Sequence, residues 1–216
     1  MNTNEQFVIT ISREVGSGGR TIGRKLAEKL GVRFCDKNLI TALMEKFDLS
    51  SNDIETLKGQ KKNWLADILE KFTPVPHAGA IGSAGMEFAP SVTNEDLFKA
   101  ESGILRELAA ESSCVIAGRS GFFILKDHPN KLDIFIQSSF ANRVSRIMEK
   151  QGKTAEEAEA IIKRVDEMRE NYVQRYTSTS RYDARNYDLV LNMDGLSSDE
   201  AVDIILDYIK ARSKTN

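Results

Sequence analysis

FVITIS-REVGSGGRT-IGRKLAEKL is the sequence of residues 7–30, and its three parts differ in character. Residues 7–12 are an apolar run rich in β-branched side chains, which is typical of a strand buried on both faces of a parallel sheet. Residues 22–30 repeat apolar side chains at steps of three and four, which predicts one buried face of a helix. Three closely spaced glycines between these parts permit a tight turn that brings backbone N–H groups close to an anion. The stretch therefore predicts a strand, a phosphate-binding loop and a helix.

The glycine-rich turn departs from the common phosphate-binding pattern G-x-x-x-x-G-K-[ST]. Arg13 stands where the first glycine belongs, and Gly19 stands where the lysine belongs, followed by Arg20 and Thr21. A glycine-rich turn without a ligand is the alternative. An arginine and a threonine at the beginning of a helix suit phosphate recognition, and this favours a binding loop.

Length and composition are those of an ordinary globular protein. The chain has 216 residues, of which 41% are hydrophobic and 29% are charged, and we expect one domain with a substantial core. A net charge of −2 and a pI near 5.8 argue against a general nucleic-acid-binding protein. Any phosphate site must therefore be local.

The cysteines and the N-terminal residues bear on the cellular compartment. Cys35 and Cys114 lie beside or within apolar runs, which favours reduced core thiols over the alternative of a disulfide. No apolar run approaches the roughly 20 residues of a membrane span, and residues 1–6 lack a basic and then apolar signal sequence. We expect a cytoplasmic protein that binds neither membrane nor nucleic acid and acts as a monomer or homodimer.

Short apolar runs alternate with helical patterns along the chain. This alternation predicts a parallel sheet with right-handed crossovers and helices on both faces. The predicted strands are 7–12, 32–35, 114–117, 132–136 and 189–192.

Capping residues mark where several helices begin and end. A Ser, Thr or Asn followed three residues later by Glu predicts a helix start, and glycine after an apolar stripe predicts a helix end. Predicted starts lie at Asn52 with Glu55, Ser139, Thr154 with Glu157, and Ser197 with Glu200, and predicted ends lie at Gly31 and Gly152.

Two charged residues directly follow predicted strands. Asp36 follows the second strand, and Arg119 lies between glycines after the third. Open α/β sheets bind ligands at the carboxyl ends of their strands, so both residues are candidates for a ligand-binding site. The alternatives are a helix cap for Asp36 and a surface turn for Arg119. We expect both strands to flank the strand that leads into the glycine loop.

Arginines are concentrated between residues 164 and 185. A solvated helix face is the alternative, but the polar segment that follows is typical of a phosphate-closing lid. Arg169 lies three residues from both Asp166 and Tyr172 on one helical face, a spacing that would hold its guanidinium in place. Few apolar residues beyond Met168 anchor the segment, so we expect it to be mobile without ligand.

Taken together, these features resemble the cytidylate kinase-like branch of the P-loop nucleoside monophosphate kinases over nearly the whole chain. The resemblance implies a P-loop fold of three layers, α/β/α, around a five-stranded parallel sheet. It also implies ATP as donor, Mg²⁺ as cofactor and small-molecule nucleotides as substrates, with a helical acceptor-binding insertion at about 37–100 and an arginine-rich lid at about 150–186. The residues that carry it are 9–20, 34–37, 115–119, Arg143, Asp166, Arg169, Tyr172 and 186–189.

The family pattern also assigns roles to single residues, and these are expectations from the resemblance. For the donor phosphates it implies Gly16, Ser17, Gly18, Gly19, Arg20 and Thr21, with Thr21 also facing the metal. For the acceptor it implies Asp36, Arg119, Arg143 and Arg181, and for charge stabilisation during transfer it implies Arg20, Arg143 and Arg169.

Departures from the pattern leave three functions open. The lysine position is Gly19, and Ala117 and Ser120 stand where an ordinary cytidylate kinase has acidic residues. The first hypothesis is phosphoryl transfer from ATP to a nucleoside monophosphate, with CMP or dCMP as first candidates. The alternatives are a kinase of a different small acceptor and a nucleotide-binding regulatory protein with little transfer activity.

Overall fold

The computed structural model describes residues 1–40 and 94–213. They belong to two units, of which the first combines Met1–Leu39 with Ser112–Asn216 and is called the sheet unit below. The second unit, Ile40–Glu111, is described only at Ile40 and from residue 94. Most of the insertion predicted at 37–100 and the predicted cap at Asn52 therefore lie outside the described residues.

A five-stranded sheet forms the centre of the sheet unit. Its strands are β1 (Val8–Arg13), β2 (Arg33–Cys35), β3 (Cys114–Ala117), β4 (Lys131–Gln137) and β5 (Leu189–Asn192). All pairings are parallel, in the order β2-β3-β1-β4-β5. The five predicted strands and their parallel arrangement are confirmed.

One expectation about the sheet is wrong. Strand β3 lies beside β1, but β2 pairs with β3 on its far side and does not flank β1. The order of parallel strands depends on long crossover connections, which the pattern within each strand does not specify.

The helices begin and end close to the predicted capping residues. Those with both ends among the described residues are α1 (Gly19–Leu30), α2 (Asn94–Glu111), α3 (Gly121–Ile124), α4 (Phe140–Gln151), α5 (Ala155–Thr177) and α6 (Ser198–Ser213), with a 3₁₀ turn at Ala184–Asn186. A further helix begins at Lys37. Thr154 and Glu157 form a reciprocal capping box, and Ser197 and Glu200 exchange the same two bonds. Gly152 ends α4 in the left-handed conformation.

Helices cover both faces of the sheet. On one face, Ile9 and Ile11 of β1 share a core with Leu26 of α1 and Ile205 of α6. On the other face, α3 lies so close that a β-carbon on Gly121 would lie 3.4 Å from Thr10 Cβ. The predicted three-layer α/β/α architecture is confirmed.

The cysteines and the apolarity of the helices were also subjects of prediction. Cys35 and Cys114 are buried free thiols, as predicted. Among the described residues, no helix combines the length and the apolarity that crossing a membrane requires.

Candidate functional site

The glycine loop connects the carboxyl end of β1 to α1. Gly16 and Gly18 have φ angles of +83° and +87°, a conformation that side chains rarely adopt. At Gly16, an added β-carbon would lie 2.9 Å from both Cβ and the carbonyl oxygen of Arg143, so α4 approaches the loop closely only because this residue is glycine. Ser17 is buried, and its hydroxyl donates to the Glu14 carbonyl at 2.9 Å, which tightens the turn.

The first turn of α1 presents backbone donors to this loop. Gly18 precedes the helix without a side-chain cap, and the turn contains no acidic residue. The N–H groups that begin a helix have no partner within it, and the helix dipole makes this end positive. The predicted loop residues, from Gly16 to Thr21, therefore form an arrangement suited to phosphate.

The side chain of Arg13 crosses this region. A β-carbon at Gly19 would lie 2.6 Å from Arg13 Cβ and 3.0 Å from its Cγ, while one at Gly118 would overlap Nη1. The arginine thus extends from the end of β1, past the beginning of α1, to the end of β3. Burial, followed by the nearby Arg169 and Arg181, lowers the pKa of Arg13 below that of an ordinary arginine.

Asp166 of α5 joins the loop to several arginines. It is 7% exposed, and its Oδ1 accepts from the backbone N–H of Val15 at 3.0 Å. Its Oδ2 accepts from Arg143 Nη1 at 2.5 Å, and its Oδ1 lies 3.4 Å from Arg181 Nη1 and 3.7 Å from Arg169 Nη1. One buried carboxylate therefore orients three of the predicted site arginines.

Two of these arginines also hold the carbonyl of Arg13. Arg169 Nη1 donates to it at 3.2 Å, and Arg181 Nη2 donates to it as well. Burial and then the charge of Arg181 lower the pKa of Arg169. Like charges are thus crowded around the end of β1, an arrangement that an anion would stabilise.

Arg20 points toward Asp36, one of the two candidate residues that follow predicted strands. Its Nε donates to Asp36 Oδ2 at 2.7 Å, and its Nη2 lies 2.6 Å from the same oxygen. Asp36 Oδ1 accepts from the N–H groups of Asn38 and Leu39, which confirms the predicted helix cap. Asp36 therefore serves as a cap and as the ion-pair partner of Arg20.

The end of β3 has an unusual backbone. Gly118, Arg119 and Ser120 have consecutive positive φ angles of 84°, 56° and 52°. Positive φ is strained for residues other than glycine, and such strain is concentrated at functional sites. Because Gly118 lies against the Arg13 guanidinium, the turn that carries Arg119 begins beside the end of the Arg13 side chain.

Arg146 of α4 is a loop contact that the sequence analysis did not identify. It is half-buried, and a β-carbon at Gly18 would lie 2.9 Å from its Cζ and Nη2. Asp166 and Arg13 were also not identified as loop contacts. A signal was available for Asp166, because it follows Ile162 by one helical turn on the buried stripe of α5.

The predicted site residues meet at the carboxyl edge of the sheet, but some lid arginines do not. Arg164 and Arg175 are exposed on α5, and Arg185 pairs with Asp183 at 2.6 Å.

Thr21, the residue expected to face the metal, is half-buried in the first turn of α1. Within residues 1–40 and 94–213, no three His, Cys, Asp or Glu side chains are grouped to hold a metal ion.

Comparison with known proteins agrees with this geometry. The model of the cytidylate kinase-like family matches residues 8–195. A cytidylate kinase from Pyrobaculum aerophilum is 26% identical over 205 residues, covering 93% of this chain and 91% of that protein. A solved structure of an uncharacterized protein from Eubacterium ventriosum has a TM-score of 0.69 at 26% identity, covering 95% of this chain and 99% of that one. A shikimate kinase from Bacteroides thetaiotaomicron has a TM-score of 0.51 at 17% identity, covering 94% and 98%, and shares the fold.

Proposed function

On the premise that this chain belongs to the cytidylate kinase-like family, we propose that it transfers a phosphoryl group from ATP to a nucleoside monophosphate. CMP and dCMP are the first candidate acceptors, and we expect the reaction to take place in the cytoplasm. The observation that carries the proposal is the arginine cluster that Asp166 arranges beside the glycine loop. A binding-only module does not need so many oriented cations.

The chemistry of phosphoryl transfer matches this cluster. Negative charge spreads over the oxygens of the transferring group, so catalysis depends mainly on positioning and on fixed positive charge. The loop N–H groups bind the donor phosphates, and Arg169 and Arg181 stabilise the charge that develops during transfer. Because Arg143 donates to Asp166 at 2.5 Å, it also contributes by holding α4 against the loop. Its predicted contact with the acceptor phosphate remains a prediction.

The acceptor side is assigned to Asp36 and Arg119. Asp36 is fixed by its cap bonds, and its ion pair with Arg20 orients both side chains. This pair turns the Arg20 guanidinium toward the acceptor side, whereas the sequence predicted a donor-side role. An oriented pair of this kind recognises polar groups of a nucleotide better than a mobile side chain does.

Magnesium is the expected cofactor, and the available donor has suitable chemistry. Thr21 offers a hydroxyl oxygen in the first turn of α1, and Mg²⁺ prefers oxygen ligands, usually a few from the protein with the rest from phosphates and water. The bound ion would neutralise charge on the donor phosphates.

Two measurements test the proposal. Thermal-shift screening with ATP, ADP and each nucleoside monophosphate identifies ligands, and an ADP-release assay then measures turnover with each acceptor. We expect stabilisation by ATP and turnover that is fastest with CMP or dCMP. The Arg169→Ala variant, purified identically, controls for contaminating kinases.

The same measurements separate the alternatives. ATP binding without turnover on any nucleoside monophosphate, but with turnover on another small hydroxyl or phosphate compound, would identify a different kinase. ATP binding without turnover on any acceptor would identify a regulatory protein. Either result contradicts the proposed reaction.

A further inference from the structure

We propose that Arg13, from the position of the first loop glycine, supplies the positive charge that a lysine at position 19 provides in the usual P-loop. This inference rests on the proposed kinase function. It gives a role in donor-phosphate binding to a residue that the family resemblance left without one.

The path of the side chain supports this role. Arg13 lies against Gly19 through its Cβ and Cγ, and its guanidinium reaches Gly118 at the end of β3. It therefore passes beside the backbone N–H groups that begin α1, where the donor phosphates are proposed to bind. The Cβ of a lysine at position 19 would lie in the space that the Arg13 side chain now fills.

The departures from the usual loop at positions 13 and 19 are sterically coupled. An added β-carbon at Gly19 would lie 2.6 Å from Arg13 Cβ, so any side chain at position 19 conflicts with Arg13 as placed. The backbone of Gly19 does not explain its identity, because its φ angle is not among the positive ones. Gly19 is therefore required mainly by Arg13, and we treat the two substitutions as one exchange of a cation between two positions of the loop.

The charges around Arg13 support the same conclusion. Arg20 pairs with Asp36, and Arg143 pairs with Asp166. Among residues 1–40 and 94–213, by contrast, no carboxylate lies within ion-pair distance of the Arg13 guanidinium. The charge of Asp36 acts on Arg13 and favours its protonated form, but Asp36 is already paired with Arg20. Arg169 and Arg181 bind its carbonyl and add positive charge nearby. A phosphate chain would supply the missing anion.

A structural role is the competing explanation, in which Arg13 only fills the space left by Gly19 and Gly118. The two explanations differ in what the charge contributes. Packing against Gly19 is preserved by a neutral side chain that keeps Cβ, Cγ and Cδ, as glutamine does, whereas phosphate binding by the charge is not. A lysine at position 13 retains the charge and part of the reach.

Isothermal titration calorimetry with Mg·ATP and with inorganic tripolyphosphate tests the proposal on the full chain. We expect Arg13→Gln to weaken both ligands by about tenfold to a hundredfold, the range for a lost charge-assisted hydrogen bond. Arg13→Lys should retain most of the affinity. Arg24→Gln, which removes an exposed charge from the same α1 helix, is the matched control and should bind as the wild type does.

A second set of variants tests whether the cation at position 13 replaces the usual lysine at position 19. Gly19→Lys alone should lower the melting temperature, because the new side chain meets Arg13. Arg13→Gly with Gly19→Lys restores the usual pattern at both positions, and we expect it to bind Mg·ATP within a few-fold of the wild type. This double variant also tests the proposal if Arg13→Gln does not fold.

Different results would overturn the role of Arg13 and the proposed kinase function. Wild-type affinity in a folded Arg13→Gln variant would overturn the role of Arg13 while leaving the kinase proposal intact. A folded double variant that binds no better than Arg13→Gly alone would also overturn it. A wild-type protein that binds neither ATP nor tripolyphosphate would overturn both.

Discussion

The backbone N–H of Val15 in the glycine loop donates to the carboxylate of Asp166 at 3.0 Å, although the two residues are 151 positions apart in the chain. The same carboxylate orients Arg143, Arg169 and Arg181. The conformation of the loop and the placement of the arginines are therefore coupled through one buried group.

Replacing Asp166 should lower the stability of the protein. Asp166→Asn keeps an oxygen that can accept from Val15 but removes the charge that faces three guanidinium groups. We expect a loss of about 3–5 kcal/mol in the free energy of unfolding, as when one partner of a buried ion pair is removed. Urea denaturation measures this, with Glu167→Gln on the exposed face of α5 as control. A loss no greater than that of the control would contradict the buried-pair interpretation.

Gly16 should be less tolerant of alanine than a glycine of similar backbone conformation in open space. Gly31 has φ +65° with no atom near an added β-carbon, so Gly31→Ala should cost only about 1–2 kcal/mol for the left-handed backbone. Gly16→Ala adds the contact with Arg143 at 2.9 Å, and we expect about 2–4 kcal/mol in total. Equal losses of unfolding free energy would show that the approach of α4 does not require glycine.

Arg169 should be needed for transfer more than for ATP binding. Its guanidinium is held by the Arg13 carbonyl and Asp166, so it is oriented before phosphate arrives. We expect Arg169→Ala to lower kcat by roughly 10²-fold or more, as loss of one preorganised donor does elsewhere, with little change in ATP affinity. Arg164→Ala, on the exposed face of α5, is the control for lost charge. A comparable fall in kcat for both variants would mean that the positive charge of α5 matters and that the orientation of Arg169 does not.

Arg20 and Asp36 should behave as one unit in acceptor binding. Arg20→Gln and Asp36→Asn each break the 2.6 Å ion pair, and the second keeps an oxygen for the helix cap. We expect each to raise the acceptor KM by about tenfold, and the double variant to raise it no further, because coupled residues are not additive. Steady-state kinetics with acceptor varied, then with ATP varied, measures this. A selective loss of ATP affinity in Arg20→Gln would return Arg20 to the donor side.

The segment 164–186 should gain protection from hydrogen exchange only when both nucleotides bind. Two filled sites bring several phosphates together, and their repulsion requires several cations to offset it. We expect strong added protection with a non-hydrolysable ATP analogue plus the acceptor, and little with either alone. Strand β3 serves as the internal reference. Full protection with the ATP analogue alone would contradict closure by both substrates.

Local chemistry explains why so much of the fold was predictable. A capping box needs only residues three apart, so Thr154 with Glu157 predicted the start of α5 correctly. Strands β1, β3 and β4 are almost entirely buried, and their continuous apolar sequences made them visible. The less buried β2 and β5 were recognised as short apolar runs between helical patterns. The glycine loop and the positions of Asp36 and Arg119 after strand ends follow from the same short-range patterns.

What the sequence by itself determined is the five strands, their parallel arrangement, the glycine loop and the helices α1, α4, α5 and α6, because each depends on residues that are close along the chain. The short helix α3 was not predicted. Only the tertiary structure decided that β2 lies beyond β3, that Arg20 pairs with Asp36 and that Asp166 binds Val15. It also decided that Arg13 occupies the space of the missing lysine. These relationships join side chains brought together by crossover connections and helix packing, and no local pattern specifies which distant partner a charged group will meet.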